Sequence, residues 1–272
     1  MTISVVIPAY NEEQYIAACI ESVLANAPKN LLEIIVVCNA CTDRTADVAL
    51  RYPKVRVIDE PRKGTGYSRN TGFKNAKGEI LAYLDADSRI HADWFPMIER
   101  AFAKNPRLVS LSGPCRFYDL PQWQSTVVYM WWMACAMPEY YRCKFAILGA
   151  NFAVRRNALE RIGGFDTSIP FWGDDTNIAR RLRAAGEVKF TMDFYNYASA
   201  RRLKSEGFIK TGTTYAMNYF SQAYFKKTFT VAHGERPWES VEPVTVSSRW
   251  PARFAKRAGT YVRSARRPAV RL

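Results

Sequence analysis

Short, uninterrupted apolar runs alternate with segments whose apolar positions recur every three to four residues through the first half of the chain. Ile3 to Ile7 is a continuous β-branched run, the pattern of a strand buried on both faces. Asn11, with Gln14 three residues on, predicts a capping box for a helix to Ala27, along which Ile16, Ile20, Val23, Leu24 and Ala27 fall at helical spacing. Strands are then predicted at Ile34 to Val37 and Val55 to Ile58, separated by a short helix that Thr42 or Asp43 caps and that runs to about Arg51. A helix from Thr65 to Ala76 leads into a strand from Ile80 to Leu84 that ends in Asp85-Ala86-Asp87. Strands joined by crossover helices imply an α/β protein with a doubly wound, mostly parallel sheet and helices on both faces, functional at the strands' C-terminal ends.

The second half is less regular. Leu108 to Leu111 and Phe145 to Val154 read as strands, and Asp174 to Ala185 as a helix opened by two acids. Between the first two lies an aromatic stretch, Trp123 to Tyr141. It contains the longest apolar run, Val127 to Met137, whose 11 residues fall well short of the ~20 needed to span a bilayer. Buried core is the expected fate of a run of that length. Tyr215, Tyr219, Phe220, Tyr224, Phe225 and Phe229 also step at helical spacing, as a packed face does.

Charge changes this picture only at one end. The 272-residue chain has a formal net charge of +14 and a pI near 9.6. Residues 1–200 carry 24 basic and 21 acidic side chains, whereas residues 201–272 carry 15 and 4. The division expected is therefore a catalytic domain over 1–200 (nucleotide half 1–112, acceptor half 113–200), a helical extension over 201–248 that packs on it, and a basic tail over 249–272, amphipathic or disordered. In that tail Trp250, Phe254, Ala258, Tyr261 and Ala265 step by three or four among eight Arg/Lys and no acid. A basic amphipathic segment of this kind suits an anionic membrane surface, and no nucleic-acid module accompanies it. Met1-Thr2 leads into the first strand without a basic leader, and six cysteines then read as reduced thiols of a cytoplasmic protein. Cys38-Asn39-Ala40-Cys41 is formally a CxxC. With no second pair and only His91 and His233, a four-ligand zinc site is poorly supplied, and a strand-end turn is the expected reading.

The chemistry-bearing motifs narrow further. The first strand–helix turn, Pro8-Ala9-Tyr10-Asn11-Glu12-Glu13, lacks the glycines of a dinucleotide fingerprint, and no P-loop is present. A nucleotide must be held by something other than a glycine loop. Asp85 and Asp87, one residue apart at a strand end, suit a divalent cation that bridges two phosphates.

Seven marks then occur in order: PAYNEE (8–13), N-x-x-T-D-x-T (39–45), R-N-x-G (69–72), LDAD (84–87), GAN-x-A-x-R-R (149–156), GGFD (163–166) and W-G-D-D-x-N-x-A-R-R-L (172–182). Together they closely resemble the family 2 glycosyltransferases, inverting enzymes of the GT-A fold. The resemblance covers about residues 3–190. It implies that Pro8, Tyr10 and Glu12 cradle the nucleotide, that Arg69 lies near the donor phosphates, and that Asp85 and Asp87 hold phosphate and Mg²⁺ or Mn²⁺, Asp87 the more directly. It places Gly149, Ala150 and Asn151 on the pocket floor between donor and acceptor, and makes Asp175 the catalytic base with Asp174 structural or acceptor-binding. An inverting transfer needs one carboxylate to take the acceptor's hydroxyl proton; Asp174 has the alternative role of helix cap.

The sequence departs from the family after the second strand, where a carboxylate usually reads the base. Cys38 and Asn39 stand there, and an amide both donates and accepts. Arg201 and Arg202 match a basic site near a diphosphate or an acceptor phosphate, or form a solvated turn. His233 matches a region that supplies a metal ligand in some relatives, or is a surface-loop histidine. The expectation is a metal-dependent inverting glycosyltransferase, with a nucleotide-sugar donor and a hydroxyl acceptor that a lipid could carry, peripheral on the cytoplasmic face of a membrane. The alternative is a non-catalytic sugar-nucleotide or glycan-binding relative.

Overall fold

The computed structural model describes residues 1–169 and 173–227. The first four strands are β1 (Ile3–Ala9), β2 (Leu31–Asn39), β3 (Val55–Glu60) and β4 (Ile80–Leu84), linked by helices α1 (Ile16–Ala25), α2 (Thr45–Ala49) and α3 (Thr65–Asn75). Helix α4 (Trp94–Lys104), strands β5 (Leu108–Ser112) and β6 (Cys115–Phe117) and helix α5 (Gln122–Trp131) follow. A π-helical turn at Trp132–Ala136 joins α5 to α6 (Met137–Cys143). Strand β7 (Asn151–Arg155), helices α7 (Arg156–Arg161) and α8 (Asp174–Arg183), and strands β8 (Glu187–Phe190) and β9 (Asn196–Ala198) come next. Helix α9 (Arg201–Glu206), helix α10 (Phe208–Phe220) and a second π-helical turn, Ser221–Phe225, end the described chain.

Seven strands form one sheet in the order β3-β2-β1-β4-β7-β5-β8, and only β7 runs antiparallel to its neighbours. β6 and β9 pair parallel in a small second sheet. Period-two alternation decides the two faces. Val5 and Ile7 of β1 and Ile34 and Val36 of β2 join one core cluster with α1 and α4, whereas Val6, Ile35 and Val37 join the other with α3, α7 and α8. All of these side chains are fully buried. At about 25 cal/mol per Å² of buried apolar surface, helices on both faces are what keep such strands out of water. The chain order reverses between β1 and β4, the switch point at whose strand ends α/β proteins bind ligands.

Several expectations change. No side chain caps α1 and Asn11 is not its cap: Asn11 sits at φ 53° and the helix starts at Ile16, because the Asn11 side chain is spent on the neighbouring turn. The expected strand from Phe145 shrinks to Asn151–Arg155, since the residues before it loop past the site. The aromatic stretch is helical, yet α5 buries no residue, and Trp123, Val127 and Met130 are 67%, 53% and 62% exposed. Tyr215, Phe220, Tyr224 and Phe225 are also exposed, so the second aromatic face is not a packed one. Phe229, His233 and the tail 249–272 lie outside the described residues, as does the 228–248 part of the expected extension. Among the described residues no helix is long and apolar enough to cross a membrane.

Candidate active site

The first two motif turns are one structure. Asn11 Oδ1 accepts the Thr42 N–H at 2.8 Å, Thr45 Oγ1 accepts the Glu12 N–H at 2.8 Å, and Asp43 Oδ2 accepts the Glu13 N–H at 2.9 Å. Asp43 Oδ1 also accepts the Thr45 N–H at 3.0 Å. Asp43 thus ties the ends of β1 and β2 together as well as opening α2, and the tie fixes where Glu12 projects.

Glu12 projects onto Arg201. The Arg201 guanidinium pairs with Glu12 Oε1, lies 3.3 Å from Asp87 Oδ2 through its Nε, and stacks 4.7 Å above the Tyr15 ring. Burial pushes the Glu12 carboxyl up to about 7; Arg201 opposes the shift, and Asp87 and Asp85 add to it. Asp87 is raised as well, by burial first. Glu12 Oε2 is buried without a hydrogen-bond partner, so this acid cluster has unspent acceptor capacity. The loop that carries Arg201 is held by Asp119, which accepts from the Ala200 N–H at 2.7 Å, Ser199 Oγ at 3.1 Å and Lys204 Nζ at 3.1 Å.

A second guanidinium stands opposite. Arg69 on α3 is 6% exposed; it pairs with Asp174 through Nη1, and its Nη2 lies 3.7 Å from Asp85 Oδ1. A side chain on Gly149 would come within 2.3 Å of Arg69 Nη2, so the glycine is what lets the guanidinium through. Asp174 is therefore no free cap: it is spent on Arg69. Asp175 follows at the start of α8, where the backbone N–H groups of Thr176 (2.7 Å) and Gly149 donate to its carboxylate. Burial and the neighbouring Asp174 nevertheless push it up to about 6, with Arg69 opposing.

The remaining candidates divide. Pro8 closes β1 beside the turn, and Tyr10 meets Lys63, whose Nζ donates to the Tyr10 hydroxyl at 2.8 Å and lies 4.1 Å above its ring. Arg202 donates to the Tyr215 hydroxyl at 2.8 Å. Asn39 is 3% exposed, and its amide is consumed by the 60–64 loop: Nδ2 donates to the Glu60 and Arg62 carbonyls, and Oδ1 accepts the Gly64 N–H at 2.8 Å. Asn39 thus shapes the loop and offers no edge to a base. Asn151 is fully buried, accepting from Trp94 Nε1 at 2.8 Å and donating to the Phe194 carbonyl at 2.7 Å, and so anchors β7 rather than touching an acceptor. The Ala150 carbonyl accepts from Asn196 Nδ2 at 2.8 Å. Asp119 and Lys63 were not legible as site residues, since neither belongs to a motif.

Among the described residues no three His, Cys, Asp or Glu side chains converge closely enough to hold a metal ion alone. Asp85 is 42% exposed, and Asp87 and Glu12, whose Oε2 lacks a partner, both meet Arg201, so the donors gathered there are carboxylate oxygens. That donor set fits Mg²⁺ or Mn²⁺, hard ions that keep places for phosphate and water.

Carboxylates at the switch point of a sheet built this way are the plan of the GT-A glycosyltransferases. The family model "Glycosyl transferase family 2" matches residues 4–163, more than half of the chain, and the chain belongs to that family. It is 28% identical over 207 residues to the glycosyltransferase AglE of Haloferax volcanii, an alignment covering 73% of this chain and 67% of AglE. The mannosyltransferase PcManGT of Pyrobaculum calidifontis, solved with GDP-Man and Mn²⁺, superposes with a TM-score of 0.64 at 21% identity, covering 82% of this chain and 63% of that one. Staphylococcus aureus TarS 1–349 with UDP-GlcNAc gives 0.54 at 20% identity, covering 73% and 58%. The chain spans from 35% to 67% of the length of the first curated relatives it matches.

Proposed function

We propose that this glycosyltransferase moves a sugar, with inversion at its anomeric carbon, from a nucleoside-diphosphate donor to a hydroxyl acceptor that Asp175 deprotonates. One observation carries the reading: a single buried guanidinium, Arg69, touches both Asp85 at the end of β4 and Asp174 at the start of α8. The phosphate side of the site and its base are thereby held at a fixed separation. Asp174 is neutralised by Arg69, which leaves Asp175 as the acid of the pair able to take a proton.

Asp175 suits that step. A carboxylate raised to about 6 is ionised at neutral pH, yet a better proton acceptor than an ordinary aspartate. As the acceptor oxygen attacks the sugar's C1, its proton passes to Asp175 and the bond to the diphosphate breaks. Retention would need a second enzymic nucleophile on the opposite face, and the Arg69 cluster offers one unspent carboxylate. Asp85 and Asp87 would hold a divalent cation, which when bound supplies charge neutralisation on the departing diphosphate. Arg201 and Arg202 carry further positive charge on the Asp87 side. Two solved neighbours are complexes with GDP-Man and UDP-GlcNAc, which supports a nucleotide-sugar donor as a class.

Thermal shift tests the donor half. Nucleoside diphosphates with Mn²⁺ should raise the melting temperature of the native chain by mass action. Asp87→Ala should abolish the Mn²⁺-dependent part; an unchanged Mn²⁺ response in that variant would refute the assignment.

A further inference from the structure

The catalytic geometry leaves unused the surface where apolar side chains are most exposed. Leu120 to Pro138, which includes α5 and its π-helical turn, contains no charged residue. It exposes Trp123 (67%), Met130 (62%) and Val127 (53%), with Tyr129, Trp131 and Met133 beside them in sequence. The segment is held to the domain from one side, where Trp132 stacks 5.2 Å from Phe190 and Met137 is buried. Thr211 to Phe225, on α10 and its π-helical turn, is also without charge; Phe225 at its end is 73% exposed, and Ile209, two residues before its start, is 84% exposed. The second segment meets α6, which continues the first: Tyr224 hydrogen-bonds Glu139 and lies 3.2 Å from Cys143 Sγ.

The charges beside this surface indicate what covers it. The exposed charges next to it in sequence are basic: Arg142, Lys144, Lys204, Lys210, Lys226 and Lys227. The acids beside it are each taken up: Glu139 by Arg142 and Tyr224, Asp119 by Lys204, and Glu206 by Thr211. Tryptophan, tyrosine and methionine in an uncharged stretch, bordered by lysine and arginine, are the residues that settle at a bilayer interface and meet anionic headgroups. A surface patch of this kind on a protein marks an interaction site. Helix α10 and its π-helical turn also reach the active site. Tyr215 on α10 accepts from Arg202 and feels the Asp175 charge, and Gln222 packs on Gly173, where a side chain would stand 2.7 Å from its Cγ.

We infer that the exposed faces of α5 and α10, with their π-helical turns, dock on an anionic lipid bilayer and hold the acceptor opening at the headgroup level, so that the hydroxyl acceptor is one anchored in that bilayer. The acceptor half of this inference rests on the proposed function; the docking half does not.

Co-sedimentation of the full chain with phosphatidylcholine vesicles, with and without about a third phosphatidylserine, tests the docking. Binding is expected with phosphatidylserine and should weaken as salt rises. The triple variant Trp123→Ser, Met130→Ser, Phe225→Ser should bind roughly tenfold or more weakly, since each substitution removes an apolar side chain from the lipid face. Its thermal shift with nucleoside diphosphate and Mn²⁺ should match the native chain's, which shows that it has folded. A native chain that stays in the supernatant at low salt overturns the inference, as does a triple variant that sediments like the native chain. Full-chain Arg253→Gln, Lys256→Gln, Arg257→Gln should keep most of the binding; losing all of it there while the triple variant keeps it assigns the membrane to the tail and overturns the helix surface. A native dimer that the triple variant converts to monomer, without vesicle binding, assigns the surface to a second copy and overturns it too. Asp175→Asn should sediment as the native chain does, so docking and catalysis fail separately. For the acceptor half, transfer to a vesicle-borne hydroxyl lipid should fall in the triple variant while transfer to a short-chain soluble analogue does not; equal loss on both overturns the anchoring.

Discussion

Two buried arginines organise this site, and they differ in what holds them. Arg69 belongs to the core: it rises from α3 and spans acids on β4 and α8, and the missing side chain of Gly149 makes room for it. Arg201 comes from α9, beyond the last strand, and spans acids from the β1 turn and the β4 turn. The first cluster is rigid by construction, because each of its members sits on or directly beside a sheet strand or a packed helix. The second is only as firm as the 199–201 loop, and Asp119 is what fixes that loop. The clusters also spend their acids differently. Around Arg69 one carboxylate, Asp174, is neutralised and Asp175 is left poised for proton transfer. Around Arg201 two carboxylates, Glu12 and Asp87, share one guanidinium, and the excess negative charge is what a donor-side cation would relieve. A rigid cluster suits the base and a charge-rich one suits the leaving group.

The sharpest way to break the comparison is to remove the proposed base. Asp175→Asn keeps the shape and the bond to Gly149, and transfer should fall roughly 10²–10⁴-fold, while donor binding by thermal shift stays native. In the native enzyme the rate should rise with pH through about 6 and then level, as Asp175 ionises. Stability should move the other way. Asp175 and Glu12 are raised above their unfolded values to about 6 and about 7. Their contribution is therefore fully present below about pH 4 and lost as pH rises through 6 to 7. Urea unfolding at pH 5 and pH 8 should show the native chain more stable at pH 5, and the difference should shrink in Asp175→Asn.

Next in size is Arg69→Ala, which strands Asp174 beside Asp175 in a buried setting. Breaking a buried pair from one side costs about 3–5 kcal/mol, read as a lower urea midpoint. Arg69→Lys should recover little, because an ammonium cannot reach Asp85 and Asp174 together as a planar fork does. Recovery to native stability would show that charge alone is at work there.

Arg201→Ala should cost less, on the order of 2–3 kcal/mol at pH 8, because Glu12 can answer by taking up a proton. Arg201 holds the Glu12 carboxyl down against burial, so its loss should move that group above about 7. The penalty should therefore shrink as pH falls towards 6, whereas the Arg69→Ala penalty should shrink only at lower pH, because Arg69 holds down an acid that starts from about 6. A pH-independent loss at both positions would erase the distinction between the clusters.

What could be read from the chain follows the same division. Every member of the Arg69 cluster lies in a motif, and the strands that position them are continuous apolar runs whose burial is decided locally by period-two alternation. The strand Ile80–Leu84 and the start of α8 at Asp174 are found where the pattern puts them. Asn39 and Asn151 were legible as polar residues at strand ends, but their roles were not. Both are spent on backbone carbonyls of loops distant in sequence, and no local pattern shows where those carbonyls fall. The aromatic stretch misled for a related reason: helical spacing shows that a face exists, and only the packing on Phe190 shows that most of it is left outside.

Asp119 is the hardest member to read and gives the smallest effect, which makes it the finest test. It belongs to no motif, and its partners Ser199, Ala200 and Lys204 are about eighty residues away. Asp119→Asn keeps one acceptor oxygen and loses the charge that Lys204 meets, so the cost in stability should be about 1 kcal/mol. If Asp119 acts by holding Arg201 in place, the apparent affinity for the donor should weaken severalfold while turnover at saturation is kept. Donor affinity would be the quantity to change because Arg201 stands on the Asp87 side of the site, away from Asp175. A loss confined to turnover would instead link the 199–201 loop to the base, and the two clusters would then have to be treated as one.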